Sequence, residues 1–177
     1  MRTILIIFIY FISVSNSIAD QNSSRLDLLF KELTQIKNEL AADLILAEIW
    51  SIWSKTDNEM AQEIFEEGNQ LMSKGQFEES ILTFTEVIAL QPDFAEAWNK
   101  RATVYFFNGE FEKSIQDIEK TLSLEPRHFG ALDGLAQIYF LQDKFLKAAA
   151  IYEQLLQILP FSENAKRQLE RINGQFI

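Results

Sequence analysis

The sequence predicts an all-α chain: a solenoid of three 34-residue helical hairpins, preceded by a helical segment and closed by a capping helix. Three observations carry this. The chain has 177 residues with only 6 Gly and 3 Pro, too few turn residues for many short strands and well suited to long helices. The prolines stand at Pro92, Pro126 and Pro160, a regular 34-residue spacing, and each follows an apolar run of helical character. Between them, residues of matching type recur at the same period, the signature of a repeat architecture.

Composition narrows the function classes. With 47% hydrophobic and 24% charged residues the chain is an ordinary globular one, not a disordered or collagen-like one. A net charge of -10 argues against a protein that coats nucleic acid, which needs concentrated Lys and Arg. The absence of cysteine removes disulfides, thiol catalysis and cysteine zinc sites together.

Taken in order, residues 1–19 read as a signal peptide. Arg2 is the only charge, Ile4 to Val14 is apolar, and Ser17 and Ala19 offer the small side chains that a signal peptidase requires, with Asp20 opening the mature chain. The apolar run is shorter than the roughly 20 residues that cross a bilayer as a helix, so no stable membrane span is expected after cleavage. An uncleaved anchor is the alternative.

Residues 20–60 form an N-terminal helical cap. Residues 24–56 contain no Gly or Pro and carry a stripe of Leu26, Leu29, Leu33, Ile36, Leu40, Leu44 and Ala47 at helical spacing. Ser24 with Asp27, and Thr56 with Glu59, have the form of capping boxes and predict helix starts near 25 and 57. Extended backwards, the repeat register gives a pseudo-unit at 27–60. There Phe30, Leu33, Trp50 and Trp53 fall in the columns of Ile64, Glu67, Phe84 and Val87. This describes a degenerate fourth hairpin turning near Lys37-Asn38-Glu39; one long helix is the alternative.

The repeats occupy 61–94, 95–128 and 129–162. Their columns hold Ile64, Trp98 and Leu132; Gly68, Ala102 and Ala136; Leu71, Tyr105 and Tyr139; then Gly75, Gly109 and Asp143; and Phe77, Phe111 and Phe145. The second halves align Ser80, Ser114 and Ala148, then Phe84, Ile118 and Tyr152. Each unit predicts two helices, for example 95–108 and 111–124 around a turn at Asn108-Gly109-Glu110. Small residues at 68, 102 and 136 allow close helix approach, and proline ends each unit because it cannot continue a helix. One hairpin cannot bury its apolar face alone, so the units must stack. Residues 163–177 complete the chain: Ser162 caps a last helix with Ala165, Leu169 and Ile172 on one face and Lys166, Arg167, Glu170 and Arg171 on the other. The tail frays or tucks Phe176 against the core.

These columns resemble the tetratricopeptide repeat (TPR) family, whose pattern runs W-x2-L-G-x2-Y with A, F, A and P at later offsets. Trp98, Ala102, Tyr105, Phe111 and Pro126 make the middle unit the closest match. Departures are Glu67 and Arg101 in one column, expected to pair across the stack, and Val87, Thr121 and Leu155 in another. The chain is also similar to small secreted bacterial TPR proteins, with a signal peptide, Ile49-Trp50-x2-Trp53 and three repeats. That resemblance implies no defined activity.

Catalysis finds no support. His128, the single histidine, is expected to be a solvent-facing loop residue after Pro126, with no orienting partner for a general base. Acidic clusters such as Glu66-Glu67 and Glu78-Glu79 read as solvated helix faces. No phosphate loop or cation loop appears, so no metal or cofactor is implied.

What the resemblance implies is a surface: the first helices of TPR hairpins line a concave groove that receives peptides or helices. The facing columns carry Phe65, Glu66, Asn69, Met72 and Ser73, then Asn99, Lys100, Thr103, Phe106 and Phe107, then Asp133, Gln137, Phe140 and Leu141. Met72, Phe106 and Phe140 recur at the 34-residue period and form either an open apolar stripe or covered core. The lysine-asparagine carboxylate clamp of some TPR domains fails, because Phe65, Gly130 and Gly134 occupy its columns. The expectation is a non-enzymatic adaptor, exported to the bacterial periplasm or secreted, that binds a protein or peptide partner. The alternative is a structural envelope protein that self-associates through the Trp50/Trp53 hairpin.

Overall fold

The structure, a computed structural model, describes residues 24–36 and 39–174. Its helices are α1 (Ser24–Leu33), α2 (Glu39–Trp53), α3 (Glu59–Ser73), α4 (Phe77–Leu90), α5 (Ala95–Phe107), α6 (Phe111–Leu124), α7 (Phe129–Leu141), α8 (Phe145–Ile158) and α9 (Glu163–Gly174). No strand occurs among the described residues, and no helix there is long and apolar enough to cross a membrane. The export segment at 1–19, Lys37 and Asn38 of the first turn, and the tail around Phe176 lie outside the described residues.

Three hairpins, α3–α4, α5–α6 and α7–α8, repeat one local geometry. Each first helix ends in a left-handed residue: Gly75 (φ 73°), Gly109 (φ 76°) and Asp143 (φ 55°). The next amide then turns back, Gln76 N–H to Leu71 O at 3.0 Å, and Glu110 to Tyr105 and Lys144 to Tyr139 at 2.8 Å. This closure satisfies carbonyls that a helix end would otherwise leave open. Phe77, Phe111 and Phe145 then open the second helices.

The hairpins cross where the small residues stand. A Cβ on Gly68 would lie 2.7 Å from the Phe84 ring, so only glycine fits there. Ser80 Oγ donates to Gly68 O at 3.0 Å and Ser114 Oγ to Ala102 O at 2.8 Å, tying the two helices inside the core. In the third hairpin Ala148 fills this place without the hydroxyl. Before each proline the helix closes identically, with Gln91, Glu125 and Leu159 amides donating 2.8 Å bonds to Val87, Thr121 and Leu155. Successive hairpins stack α4 on α5 and α6 on α7, and α9 covers α8.

The structure corrects several sequence expectations. Arg101 does not meet Glu67. It chelates Asp117 of its own hairpin at 2.7 and 2.8 Å and adds a 2.9 Å bond to Thr85, because a buried carboxylate offers a planar fork a better partner than the exposed Glu67. The cap of α3 is Asn58, accepting from Ala61 N–H at 3.1 Å, with Thr56 Oγ1 one step back accepting from Asn58 N–H. Ser162 does cap α9, accepting from Ala165 N–H at 3.3 Å.

The N-terminal stripe also breaks. Leu26, Leu29 and Leu33 are buried, but Leu44 is 70% exposed, because the chain leaves the helix after Leu33 and α2 restarts in a new phase. The segment is thus two helices, joined by a bidentate Arg25–Glu48 contact at 2.7 and 2.9 Å. This hairpin does not stack on α3 as a fourth repeat. Its aromatic end packs on the junction between the second and third repeats.

Candidate functional site

His128 organises that junction, and it is 0% exposed rather than solvent-facing. It is the N-cap of α7, with Nδ1 accepting from Ala131 N–H at 3.1 Å. An acceptor at Nδ1 leaves the proton on Nε2, which donates to Glu96 Oε2 at 2.8 Å. The ring lies between indoles: Trp53 stacks on it and Trp50 meets its edge at 5.5 Å. Trp50 also touches α7 where Gly130 leaves room, since a Cβ there would sit 2.7 Å from Trp50 Cη2. Nearby, Arg127 chelates Glu125 at 2.9 Å, reaches Asp27 of α1 at 2.7 Å and lies 4.4 Å over the Phe30 ring.

Glu96 is buried with His128. Burial would raise its pKa, but the hydrogen bond from His128 and the Lys100 ammonium 3.2 Å from Oε1 outweigh that and hold the carboxyl below the usual range. Asn99 Nδ2 adds a 3.0 Å bond to Oε2. Both nitrogens of His128 are engaged in holding the fold, so it is not placed to take a substrate proton.

Beyond Trp50 a groove opens along α5 and α7. Its first cavity, about 230 Å³, is lined by Asn99, Thr103, Phe106 and Phe107 on one wall and Gly130, Asp133, Gly134 and Gln137 on the other. Ala102, Ser114 and Ile118 complete the lining. A second cavity of about 430 Å³ shares Phe106 and Gln137 and continues past Phe140, Leu141 and Tyr152 to Asn164, Gln168 and Arg171 of α9. The two glycines on α7 lie one helical turn apart on a single face, which keeps the groove open at backbone level.

The predicted surface residues divide accordingly. Asn99, Thr103, Phe106, Phe107, Asp133, Gln137, Phe140 and Leu141 come together along this groove; Phe107 and Leu141 remain 58% and 56% exposed. Phe65 does not belong to the surface: it is 2% exposed, packed against Phe84 and Phe94 at ring distances of 5.7 and 4.9 Å. Asn69 is turned onto its own helix, donating to Phe65 O at 3.0 Å, and Met72 packs on the first-repeat core. Lys100 serves Glu96 and lies 5.9 Å from the Trp50 ring. The stripe is therefore part groove, through Phe106 and Phe140, and part core, through Met72.

Asp133 is the carboxylate inside the groove. Burial raises its pKa, while amide bonds from Gln137 (2.7 Å) and Asn164 (3.2 Å) partly offset the rise. The phenol of Tyr152 is pushed up to about 12, by burial first and by Asp133 second. Sequence reasoning missed Asn164, Gln168 and Arg171, since α9 lies outside the repeat register and its polar face reads as solvation. Among the described residues no group of three or more His, Asp or Glu converges in a way that holds a metal.

A solenoid of stacked helical hairpins with an apolar groove along their first helices defines a class of repeat protein. Profiles described as "TPR repeat" and "Tetratricopeptide repeat" match residues 68–109 and 99–163, and through this span the chain belongs to the tetratricopeptide repeat family. A TPR repeat-containing protein of Rhizobium etli is 33% identical over 82 residues, covering 46% of this chain and 40% of the relative, so the match spans well under two thirds of that protein. Among solved structures, the first TPR of Spaghetti (RPAP3) bound to the HSP90 peptide SRMEEVD superposes with a TM-score of 0.64 at 23% identity, over 68% of this chain and 95% of that one. The secretion chaperone SycD of Yersinia enterocolitica, in complex with a peptide of the translocator YopD, gives 0.65 at 8% identity over 68% and 98%. At these identities the likeness shows the fold.

Proposed function

We propose that this chain is a non-enzymatic adaptor that holds a segment of a protein partner in the groove between α5 and α7. We further propose that residues 1–19 export it, so that it works in the bacterial periplasm or beyond. One observation carries the binding reading: two neighbouring cavities that share Phe106 and Gln137 as lining lie along α5, α7 and α9, with apolar side chains beside amides and with Phe107 and Leu141 left exposed. Apolar side chains supply affinity there and amides orient a ligand backbone. The Spaghetti and SycD structures, each with a peptide bound, support the same use of this fold. Trp53, which the self-association alternative would use, is buried against His128 within the same chain, and this favours the adaptor reading.

The test is site-specific photo-crosslinking in cells. A benzophenone residue at Leu141 is expected to trap a discrete protein adduct, and one at Leu82, 70% exposed on α4 and outside the groove, is expected to trap none. Gln137→Trp, which fills the channel, should abolish the Leu141 adduct. Adducts at Leu82 alone, or adducts at Leu141 that survive Gln137→Trp, would overturn the reading.

A further inference from the structure

We infer that the α9 end of the groove is a receptor for a carboxylate side chain carried beside an apolar one, so that the partner segment is acidic and apolar together. This rests on the groove reading above and adds the chemistry of the ligand.

The Arg171 guanidinium lies 5.0 Å over the Phe140 ring, at the edge of the larger cavity. Its hydrogen bond goes to Gln168 Oε1 at 3.0 Å. Among the described residues no carboxylate lies within ion-pair reach of it, whereas Arg25, Arg101 and Arg127 each chelate one; Arg167 on the same helix has no ion pair either, but it does not line the cavity. The acid already in the groove, Asp133, is taken by the amides of Gln137 and Asn164. An arginine fork matches a carboxylate in two parallel bonds, and stacking on a ring leaves its in-plane donors free to make them.

The ring beneath supplies the second half of the site. The Arg171 guanidinium and the Phe140 ring, 5.0 Å apart, would receive a carboxylate and an apolar group from neighbouring side chains of one ligand segment. Residues i and i+2 of an extended segment, about 7 Å apart on one face, meet this spacing. The field of the molecule sets the direction. On a chain of net charge -10, α3 carries Glu59, Glu63, Glu66 and Glu67 with no Lys or Arg, while α9 sets Lys166, Arg167 and Arg171 against Glu163 and Glu170. An acidic segment is repelled from the first repeat and drawn to α9. Gly130, against which Trp50 packs, lines the other end. From Gly130 to Leu141 the helix rises about 17 Å, room for about five extended residues.

A phage-displayed random heptapeptide library selected on the full chain tests this. Selected sequences are expected to pair Asp or Glu with an apolar residue, and an Asp→Asn or Glu→Gln exchange in a synthetic winner should weaken binding at least tenfold by fluorescence anisotropy. On Arg171→Gln that exchange should make no difference; Arg171→Lys, which keeps the charge but not the fork, should fall between. Melting curves check that both variants fold. If winners blocked by Gln137→Trp show no acidic preference, or the exchange costs the same on Arg171→Gln, this inference falls and the groove reading stands. If no winner is blocked by Gln137→Trp, both fall. If winners appear only on a chain ended at Gly174, the chain's own tail holds the site and the inference in trans is wrong.

Discussion

The indole of Trp53 lies face to face on the imidazole of His128, ring centroids 4.2 Å apart and planes 13° from parallel. Through this contact a helix from the N-terminal segment is clamped to the joint between the second and third repeats, 75 residues further along the chain. Trp53→Ala removes the stack and opens a cavity, and is expected to cost about 3–5 kcal/mol. Hydrogen exchange should show α1 and α2 losing protection first, while α5 to α8 keep theirs.

The buried Glu96 makes stability depend on pH. Its pKa is below the usual 4.5 when folded, so its contribution is complete above about pH 4.5 and is lost as the pH falls through the folded value. Asp133 runs the other way: its folded pKa is above 3.8, so protonation favours the fold as the pH falls toward that value. Denaturant titrations at pH 3 to 7 should show Glu96→Gln flattening the acid-side loss and Asp133→Asn steepening it.

Gly130 and Gly134 separate two roles for glycine on one helix. Gly130→Ala drives a methyl into Trp50 at 2.7 Å and is expected to destabilise by about 1–3 kcal/mol, with a red shift of tryptophan emission as the indole is displaced. At Gly134 the nearest atom is Ile118 Cδ1 at 3.6 Å, an ordinary contact. Gly134→Ala should therefore stabilise by up to about 1 kcal/mol through helix propensity, with unchanged emission.

Arg101 and Asp117 form a nearly buried pair, with side-chain exposures of 13% and 6%. Desolvation alone would lower the Arg101 pKa, but the Asp117 carboxylate raises it. Removing one partner strands the other, so Asp117→Ala is expected to cost about 3–5 kcal/mol. Glu67→Ala, on the exposed face, should stay within about 0.5 kcal/mol. Urea midpoints of the two variants compare them directly.

Asp143 holds the left-handed turn that Gly75 and Gly109 hold in the other hairpins. A side chain in that conformation costs about 1–2 kcal/mol in an L-residue, less for Asp than for most. Asp143→Gly is expected to raise the melting temperature. Gly109→Ala, with nothing within 4 Å of its Cβ, should lower it through backbone strain alone.

The periodic part of this protein was legible in its residues. Proline at 92, 126 and 160, small residues at 68, 102 and 136, and phenylalanine at 77, 111 and 145 each act within one hairpin, over contacts close in sequence, so their spacing carries their roles. Most of the groove wall followed for the same reason: Phe106, Gln137 and Phe140 lie at regular positions on first helices. What only the tertiary structure decided is where the irregular ends go. The Trp50/Trp53 helix reads in sequence as a fourth repeat, yet it lies on His128 and on Gly130, where the missing Cβ leaves room for the Trp50 indole. That long-range contact turned a loop histidine into a buried cap and set Trp50 against Gly130, which lines the groove. Arg171 was equally invisible, since a charged residue on a capping helix shows its direction only once α9 is laid beside Phe140. Periodicity reports contacts that repeat along the chain; burial of single residues by distant segments does not repeat, and so leaves no period to read.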